Sequence, residues 1–346
     1  MTDTLVDSAE AGAPAGATIQ AFAFGDPEPV LSRRDLLMGL ECQHNGRWYE
    51  PPIAPSHLAR AYRVSPHHSS AILYKRNQLL RHFRPSQWLD RRNFGEWVLN
   101  FLVMGNGYLE QRDNLAGRPL KLVNSLAKYT RRGVEDDVYW WVPGFKQETA
   151  YRPGRVFHLW EPDLEQEIYG LPEYLACLQS AFLNENATLF RRRYYLNGSH
   201  AGFVFYLNEA IVSNEDADAI RTALKEAKGV GNFRNLFIHA PGGKEHGVKI
   251  IPIAEVAAKD EFLGIKNVTR DDVLAAHRVP PQLIGVVPQN AGGFGDYGKA
   301  ADVFFPNEIE PLMARFLELN DWLGLPAVAF DPYQPIATPS PSSGRQ

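Results

Sequence analysis

Gly293, Gly298 and Lys299 stand at the spacing G-x-x-x-x-G-K, the pattern in which backbone amides wrap a polyphosphate and a lysine neutralises it. Ala300 occupies the next position, where a magnesium-binding Ser or Thr belongs. The segment also follows "PPQLIGVVPQNAG" instead of a buried strand, and no acidic strand end offers a second magnesium ligand. A mobile glycine-rich loop fits better than a nucleotide site. The acids of "EPDLEQE" (Glu161, Asp163, Glu165, Glu167) could hold magnesium for phosphodiester hydrolysis, but such a loop is more often simply solvated. His57, His67 and His68 lie near Cys42 and His44, yet their spacings match no zinc pattern, and His67-His68 read as an ordinary helix start. Neither a G-x-S-x-G elbow nor a supported Cys-His signature occurs. The expectation is therefore no catalytic residue, no metal and no cofactor.

The remaining chemistry is cationic. Arg191, Arg192 and Arg193 crowd the end of a helical stretch, and Arg131-Arg132 form a second basic pair. Yet the 346-residue chain carries a net charge of −4 with pI near 6.2, whereas a protein gripping DNA statically usually has a basic surplus. The two cysteines, Cys42 and Cys177, are far apart and read as buried thiols, with no disulfide framework. No apolar run approaches the roughly 18 to 20 residues that span a bilayer, and the start lacks signal-peptide blocks, so cytoplasm is the default.

The elements that must carry these residues form an α+β chain. Residues 1–28 and 326–346 lack periodic apolar pattern and are expected to be a disordered arm and a disordered Pro/Ser-rich tail. Residues 29–171 mix a helix bearing Phe94, Trp97, Val98, Phe101 and Leu102, broken at Gly105, with a hairpin turning at "NLAGR" and short aromatic strands. At 172–198 one long helix is predicted, with Pro172 in its first turn, Asn197-Gly198 as its cap, and an apolar stripe through Leu175, Leu178, Phe182, Leu189 and Leu196. A small β-α-β-β unit at 199–255 follows, too small to bury much surface alone. The chain returns through a second long helix within 256–285, with Phe262, Ile265, Val273 and Ala276 inward and Pro280-Pro281 as the stop. Residues 286–298 are the glycine-rich loop, and 299–325 a helix kinked by Pro306 and Pro311.

This order of motifs resembles the portal (head-to-tail connector) proteins of tailed bacteriophages, of the PBSX-like type found in temperate myophages. The carriers are "FGDPEPVL", "NGRWYEPP", "SPHHSS", "KYTRRGVEDDVYWWVPGF", "VFHLWEPD", "YGLPEYL", "NATLFRRRYYLNGSHAGF" and "AAHRVPPQLIG". The resemblance implies a portal fold: wing 29–171, stem helices 172–198 and 256–285, clip 199–255, tunnel loop 286–298, a kinked wing helix 299–325, and little or no crown. It implies a ring of identical subunits in the virion, at one capsid vertex, assembled in host cytoplasm. That ring would be the channel for DNA packaging and ejection. Expected partners are the chain itself, the terminase large subunit, head-completion and tail connector proteins, major capsid and scaffold proteins, and double-stranded DNA passing non-specifically, with no membrane.

Within that frame Gln289, Asn290, Phe294, Tyr297 and Lys299 are expected to touch DNA backbone from the tunnel loop. Arg191, Arg192 and Arg193 are expected to pair with Asp271 and Asp272 of a neighbouring stem, or else to line the channel. About twelve copies would carry roughly −48, so passing DNA would be held weakly. The competing readings are a monomeric nucleotide hydrolase or nuclease and a basic-patch DNA-binding regulator, the latter disfavoured by the net charge.

Overall fold

A computed structural model describes residues 42–144, 146–196, 203–207, 248–252, 258–286 and 297–335. Helix α1 (Pro55–Ala61) and helix α2 (Pro66–His82) lead through the short strand β1 (Phe83–Arg84) to α3 (Arg91–Met104). Helix α3 starts where the Asp90 side chain accepts from Asn93 N, a cap of about 1 kcal/mol, and stops at left-handed Gly105. Strand β2 (Asn106–Asp113) pairs antiparallel with β3 (Pro119–Ser125), and their turn falls on the predicted "NLAGR" segment. Strand β7 (Val156–Trp160) covers the other edge of β2, giving the order β3-β2-β7. A second small sheet joins β4 (Thr130–Arg132), β5 (Tyr139–Trp141) and β6 (Thr149–Ala150).

The long helix predicted from Pro172 opens differently. Pro172 has extended backbone (φ −70°, ψ 138°) and precedes a 3-10 turn, Glu173–Cys177, before α4 (Leu178–Leu196) begins. Proline thus sits outside the first turn. Strands β8 (Phe203–Leu207) and β9 (Val248–Pro252) pair antiparallel; the helix, strand and turn predicted between them lie outside the described residues. The returning helix α5 (Ala258–Ala276) ends earlier than Pro280, because Arg278 adopts a left-handed φ of 55° that no α-helix continues. Pro281–Ile284 then form a separate 3-10 turn.

The predicted kink is a π segment. Helix α6 (Tyr297–Phe304) passes into Phe305–Ile309 in π geometry and then α7 (Glu310–Leu323). Pro306 brings no N–H to the ladder, and Asn307 Nδ2 donates to Val303 O at 2.7 Å, satisfying a carbonyl there. The expected disordered tail also starts too early: Ala327 and Val328 are buried, and β10 (Ala329–Phe330) pairs with β1. Asn320 clamps the Val328 backbone through both its amide groups at 2.8 Å, and the small aliphatic side chains complete the core. Among the described residues no helix is long and apolar enough to cross a membrane.

Two adjoining cores organise these elements. In the first, Phe316 meets Phe94, Trp97 and Phe101 edge-on at centroid distances of 5.6, 4.7 and 5.5 Å. The second gathers Leu58, Ile72, Val103, Tyr108, Tyr139, Tyr174 and Leu178. The base of the helix pair serves both: Leu274, Val279 and Leu283 enter the first, while Val273, Cys177 and Ala181 enter the second.

Where α3 hands over to β2, glycine is obligatory. A Cβ on Gly170 would sit 2.2 Å from Gly105 O and 2.4 Å from Glu161 N, all backbone atoms that cannot step aside. Gly117 also has a left-handed φ (74°), but nothing lies within 4 Å of its would-be Cβ. We expect Gly170→Ala to cost about 3 kcal/mol or more by steric displacement, against about 1 kcal/mol for Gly117→Ala from backbone strain alone. Denaturant unfolding of the two variants measures the difference; equal costs would show that the close approach imposes no constraint.

Candidate functional site

The outgoing helix is aimed by a polar pin. Asn106 Nδ2 donates to Met104 O (2.9 Å) and Gly170 O (2.7 Å), which fixes its Oδ1 as acceptor from Gly170 N (2.9 Å) and from His158 Nε2 (2.9 Å). His158 therefore carries its proton on Nε2. Complete burial, with the Arg132 charge adding to it, pushes His158 down to about 3. Glu161 N donates to Gly105 O and Leu171 N to Glu161 O, so the chain enters the helix from a rigid corner. Tyr169 completes it, donating to Tyr49 O (2.6 Å) and accepting from Arg132 N (3.0 Å).

Next to this corner lies an ionic cluster. Lys75, on the inner face of α2, has a side chain only 4% exposed and meets Glu308 at 3.1 Å and Glu173 at 3.8 Å. Arg278 bridges the same two acids, its Nη2 donating to both oxygens of Glu173 (2.7 and 2.8 Å) and its Nε to Glu308 Oε1 (2.7 Å). Its left-handed backbone is what turns the guanidinium toward both carboxylates instead of continuing the helix. Four residues thus tie α2, the 3-10 entry, the end of α5 and the π segment together. Beside them His68 and His277 share a hydrogen bond of 2.9 Å, and burial pushes them down to about 4 and about 3.

Beyond the base, α4 and α5 run antiparallel. Ser180 donates to Asp272 (3.0 Å), and Asn184 donates to Thr269 Oγ1 (2.8 Å). The buried face of α4 is Leu178, Ala181, Asn184 and Ala187; of the predicted stripe Leu178 is buried and Leu175 and Phe182 are half-buried against the second core, whereas Leu189 is 46% exposed, as is its neighbour Leu183 at 48%, and the Leu196 side chain is not among those described. Beyond Leu178, small side chains allow the two backbones a close approach, which keeps Leu189 out of that seam. On α5, Val273 is buried as predicted and Ile265 and Ala276 are half-buried; the Phe262 side chain lies outside the described set.

The predicted site residues separate. Arg191 and Arg192 are exposed on α4, whereas the Arg193 side chain is not among those described. Arg191 faces Lys266, depressing that ammonium's pKa after burial itself. Within the chain Asp271 pairs with Arg270 (2.8 Å) and Asp272 is held by Ser180. The eleven residues from Ser180 to Arg191 span about 16 Å of helix, so the two charge sets do not meet within one subunit. Gln289, Asn290 and Phe294 lie outside the described residues. Tyr297 opens α6 hydrogen-bonded to Tyr74, whose phenol burial and that bond push upward, and Lys299 is exposed two residues on. Glu161 is drawn inward toward Arg315 (3.8 Å), Asp163 caps Glu165 N, and Glu165 and Glu167 face solvent, so the "EPDLEQE" acids do not converge. Cys42 is half-buried and donates to Gln166. Sequence spacing missed His68, Cys177 and His277, which the fold brings together from three segments.

The family model described as phage portal protein matches residues 57–334. The chain is 52% identical over 318 residues to a protein of Escherichia phage P2 named "Probable portal protein", covering 92% of each chain. It is 33% identical over 286 residues to a like-named protein of Haemophilus phage HP1, covering 81% of this chain and 83% of that one. Two solved structures share the fold. The neck of a native gene transfer agent particle, computed with C12 symmetry, aligns at TM-score 0.57 with 19% identity, over 83% of this chain and 86% of that one. An HK97 family phage portal protein from Corynebacterium diphtheriae aligns at 0.55 with 17% identity, over 79% and 94%.

Removing Glu308 leaves the buried Lys75 ammonium with only the 3.8 Å contact to Glu173. Glu308→Gln should cost about 3–5 kcal/mol, whereas the Lys75→Met, Glu308→Leu pair should recover most of that loss; urea melts of the three proteins check it. His158 supplies a pH dependence. Its folded value of about 3 lies below the unfolded value of about 6.5, so the unfolded chain alone takes up the proton between them. Stability from this group is present above about pH 6.5 and falls with pH, by at most about 1.4 kcal/mol per unit, until about pH 3. His158→Gln, which keeps a donor for Asn106, should flatten the thermal stability profile by the equivalent of one proton.

Proposed function

The chain belongs to the phage portal protein family, and from that premise we propose that about twelve copies close into a ring at one capsid vertex, forming the channel for DNA packaging and ejection. The observation that carries this reading is the antiparallel pair α4/α5, rooted in the two cores at one end and bearing exposed Leu183, Leu189 and Val268 along its outer faces. Apolar side chains so placed are covered when stems stand side by side. The C12 symmetry of the gene transfer agent neck supports the copy number. In the ring the clip, 199–255, docks the terminase large subunit during packaging and head-completion and tail connector proteins afterwards, while the wing meets capsid and scaffold proteins. The role is structural, not catalytic. The virion is its destination and host cytoplasm the site of assembly.

The tunnel loop, with Gln289, Asn290, Phe294, Tyr297 and Lys299, faces double-stranded DNA. With −4 per chain the ring repels more than it binds, and sparse polar and cationic groups keep the cargo from sticking. Arg191, Arg192 and Arg193 pair with Asp271 and Asp272 of the next subunit. Since these sets lie about 16 Å apart along one subunit's helix pair and a closed ring allows no rise between neighbours, the stems must be inclined to the ring axis for the arginines of one to reach the acids of the next. The Arg191–Lys266 repulsion within each subunit favours an acidic partner from outside it.

Light scattering and negative-stain images of the full chain should show rings near twelve times 38.9 kDa. A well-folded monomer at micromolar concentration would overturn the reading. Arg191→Glu with Arg192→Glu should release monomers, and adding Asp271→Arg with Asp272→Arg should restore rings. Intact rings from the first pair alone would remove the inter-subunit ion pairs from the account and leave the arginines to the channel.

A further inference from the structure

Three lone-pair donors meet where the helix pair is rooted. His68 lies in the first turns of α2, Cys177 closes the 3-10 entry to α4, and His277 follows the last residue of α5. One ring nitrogen of each histidine and Cys177 Sγ lie within 4.8 Å of one another. All three residues are buried, at 0%, 4% and 5% exposure. His68 Nδ1 and His277 Nε2 are 2.9 Å apart, joined by one proton, and His68 Nε2 has no hydrogen-bond partner although no solvent reaches it. Core positions this dry usually hold hydrocarbon. Two imidazoles and a thiol facing one another there form an unusual concentration of ligand chemistry.

We propose that His68, Cys177 and His277 bind one zinc ion per subunit. Two nitrogens and one sulfur are a borderline-soft set that suits Zn2+ and disfavours Mg2+ and Ca2+, which take oxygen. Tetrahedral zinc with bonds of about 2.0–2.3 Å places its ligand atoms about 3.3–3.7 Å apart. The 2.9 Å nitrogen pair opens slightly and the sulfur closes in, movements within reach of side-chain rotation. Binding breaks the His68–His277 hydrogen bond, each imidazole keeps one N–H on its non-ligating nitrogen, and the Cys177 thiol gives up its proton to solvent as the zinc–sulfur bond forms. The ion would then clamp α2 to both helices of the pair at their roots, beside the Lys75 cluster and across the same three segments. Because every ligand comes from one chain, the site does not depend on ring assembly or on the portal reading.

The test uses the full chain, purified and loaded with Zn2+ or with Co2+ as an optical probe. We expect one metal ion per chain by atomic emission, and for Co2+ a thiolate charge-transfer band with the visible bands of tetrahedral cobalt. Cys177→Ser should abolish the charge-transfer band, and Cys42→Ser should leave it unchanged. Wild-type protein that takes up no Co2+, or a Cys177→Ser variant with the same spectrum, overturns the proposal. Should Cys177→Ser fail to fold, wild-type thiol labelling decides: Cys177 reactivity should rise at least tenfold when a chelator strips the zinc, and equal reactivity with and without chelator counts against the site.

Discussion

A lysine ammonium that has left water must be matched by carboxylate. Lys75 is in that position, and its two acids come from the first residue of the 3-10 entry and from the π segment between α6 and α7, 98 and 233 positions away in sequence. Neither acid can be supplied locally, so the buried charge sets where three distant segments must sit relative to α2. Arg278 repeats the demand from the opposite side with a bidentate contact to Glu173, geometry a lysine could not reproduce. The cluster need not add net stability over a hydrocarbon core of the same shape. What it adds is a penalty for every arrangement in which the helix pair leaves the two cores at another angle.

The irregular backbone at the junction follows from that demand. A continuous α-helix through 172–198 would rotate Glu173 away from Arg278; the 3-10 opening places it there and still lets Tyr174 bury its ring and donate to Val103 O at 2.5 Å. A helix running on past Ala276 would carry Arg278 off the acids, and the left-handed turn brings it back while Val279 drops into the first core. The π segment adds a residue to one turn, which directs Glu308 toward Lys75 while Phe305 and Ile309 stay buried. Each deviation from regular helix pays for one ion-pair contact.

Local pattern was therefore a good guide to regular elements and a poor one to their ends. Asp90, the apolar spacing from Phe94 to Phe101 and Gly105 mark α3 from cap to stop, because every signal lies within one helix. The hairpin at "NLAGR" was legible for the same reason. The tail was misread because Ala327 and Val328 carry no periodicity, only the fit to a core made elsewhere and the Asn320 clamp. The apolar stripe of α4 holds at its start, where Leu175, Leu178 and Phe182 meet the second core, and fails at Leu189, since sequence cannot tell an apolar face buried within the chain from one left outside it. The motifs "SPHHSS", "YGLP" and "HRVPPQLIG" marked the family, yet nothing in one sequence showed that they converge. Their contacts span 105 and 209 positions, and only the folded junction shows Glu173 on Arg278 and His68 on His277.

The seam between α4 and α5 bears on why such a chain would assemble. Cys177, Ala181, Asn184 and Ala187 bury little hydrocarbon, and Asn184 spends its amide on Thr269 and the Lys266 carbonyl. A seam of small and polar side chains fixes the separation and register of two helices but contributes modestly to holding them together. Leu178, Val273 and Leu274 are buried at the root of the pair, whereas Leu183, Leu189 and Val268 stay exposed. A helix pair intended to stand alone would gain by the reverse arrangement, with leucines within and alanines without. Putting Leu183, Leu189 and Val268 outward forgoes stability in the isolated subunit, which under the proposed ring is recovered by contact with another copy, while the root of the helix pair, held by charge and by two aromatic cores, is set beforehand.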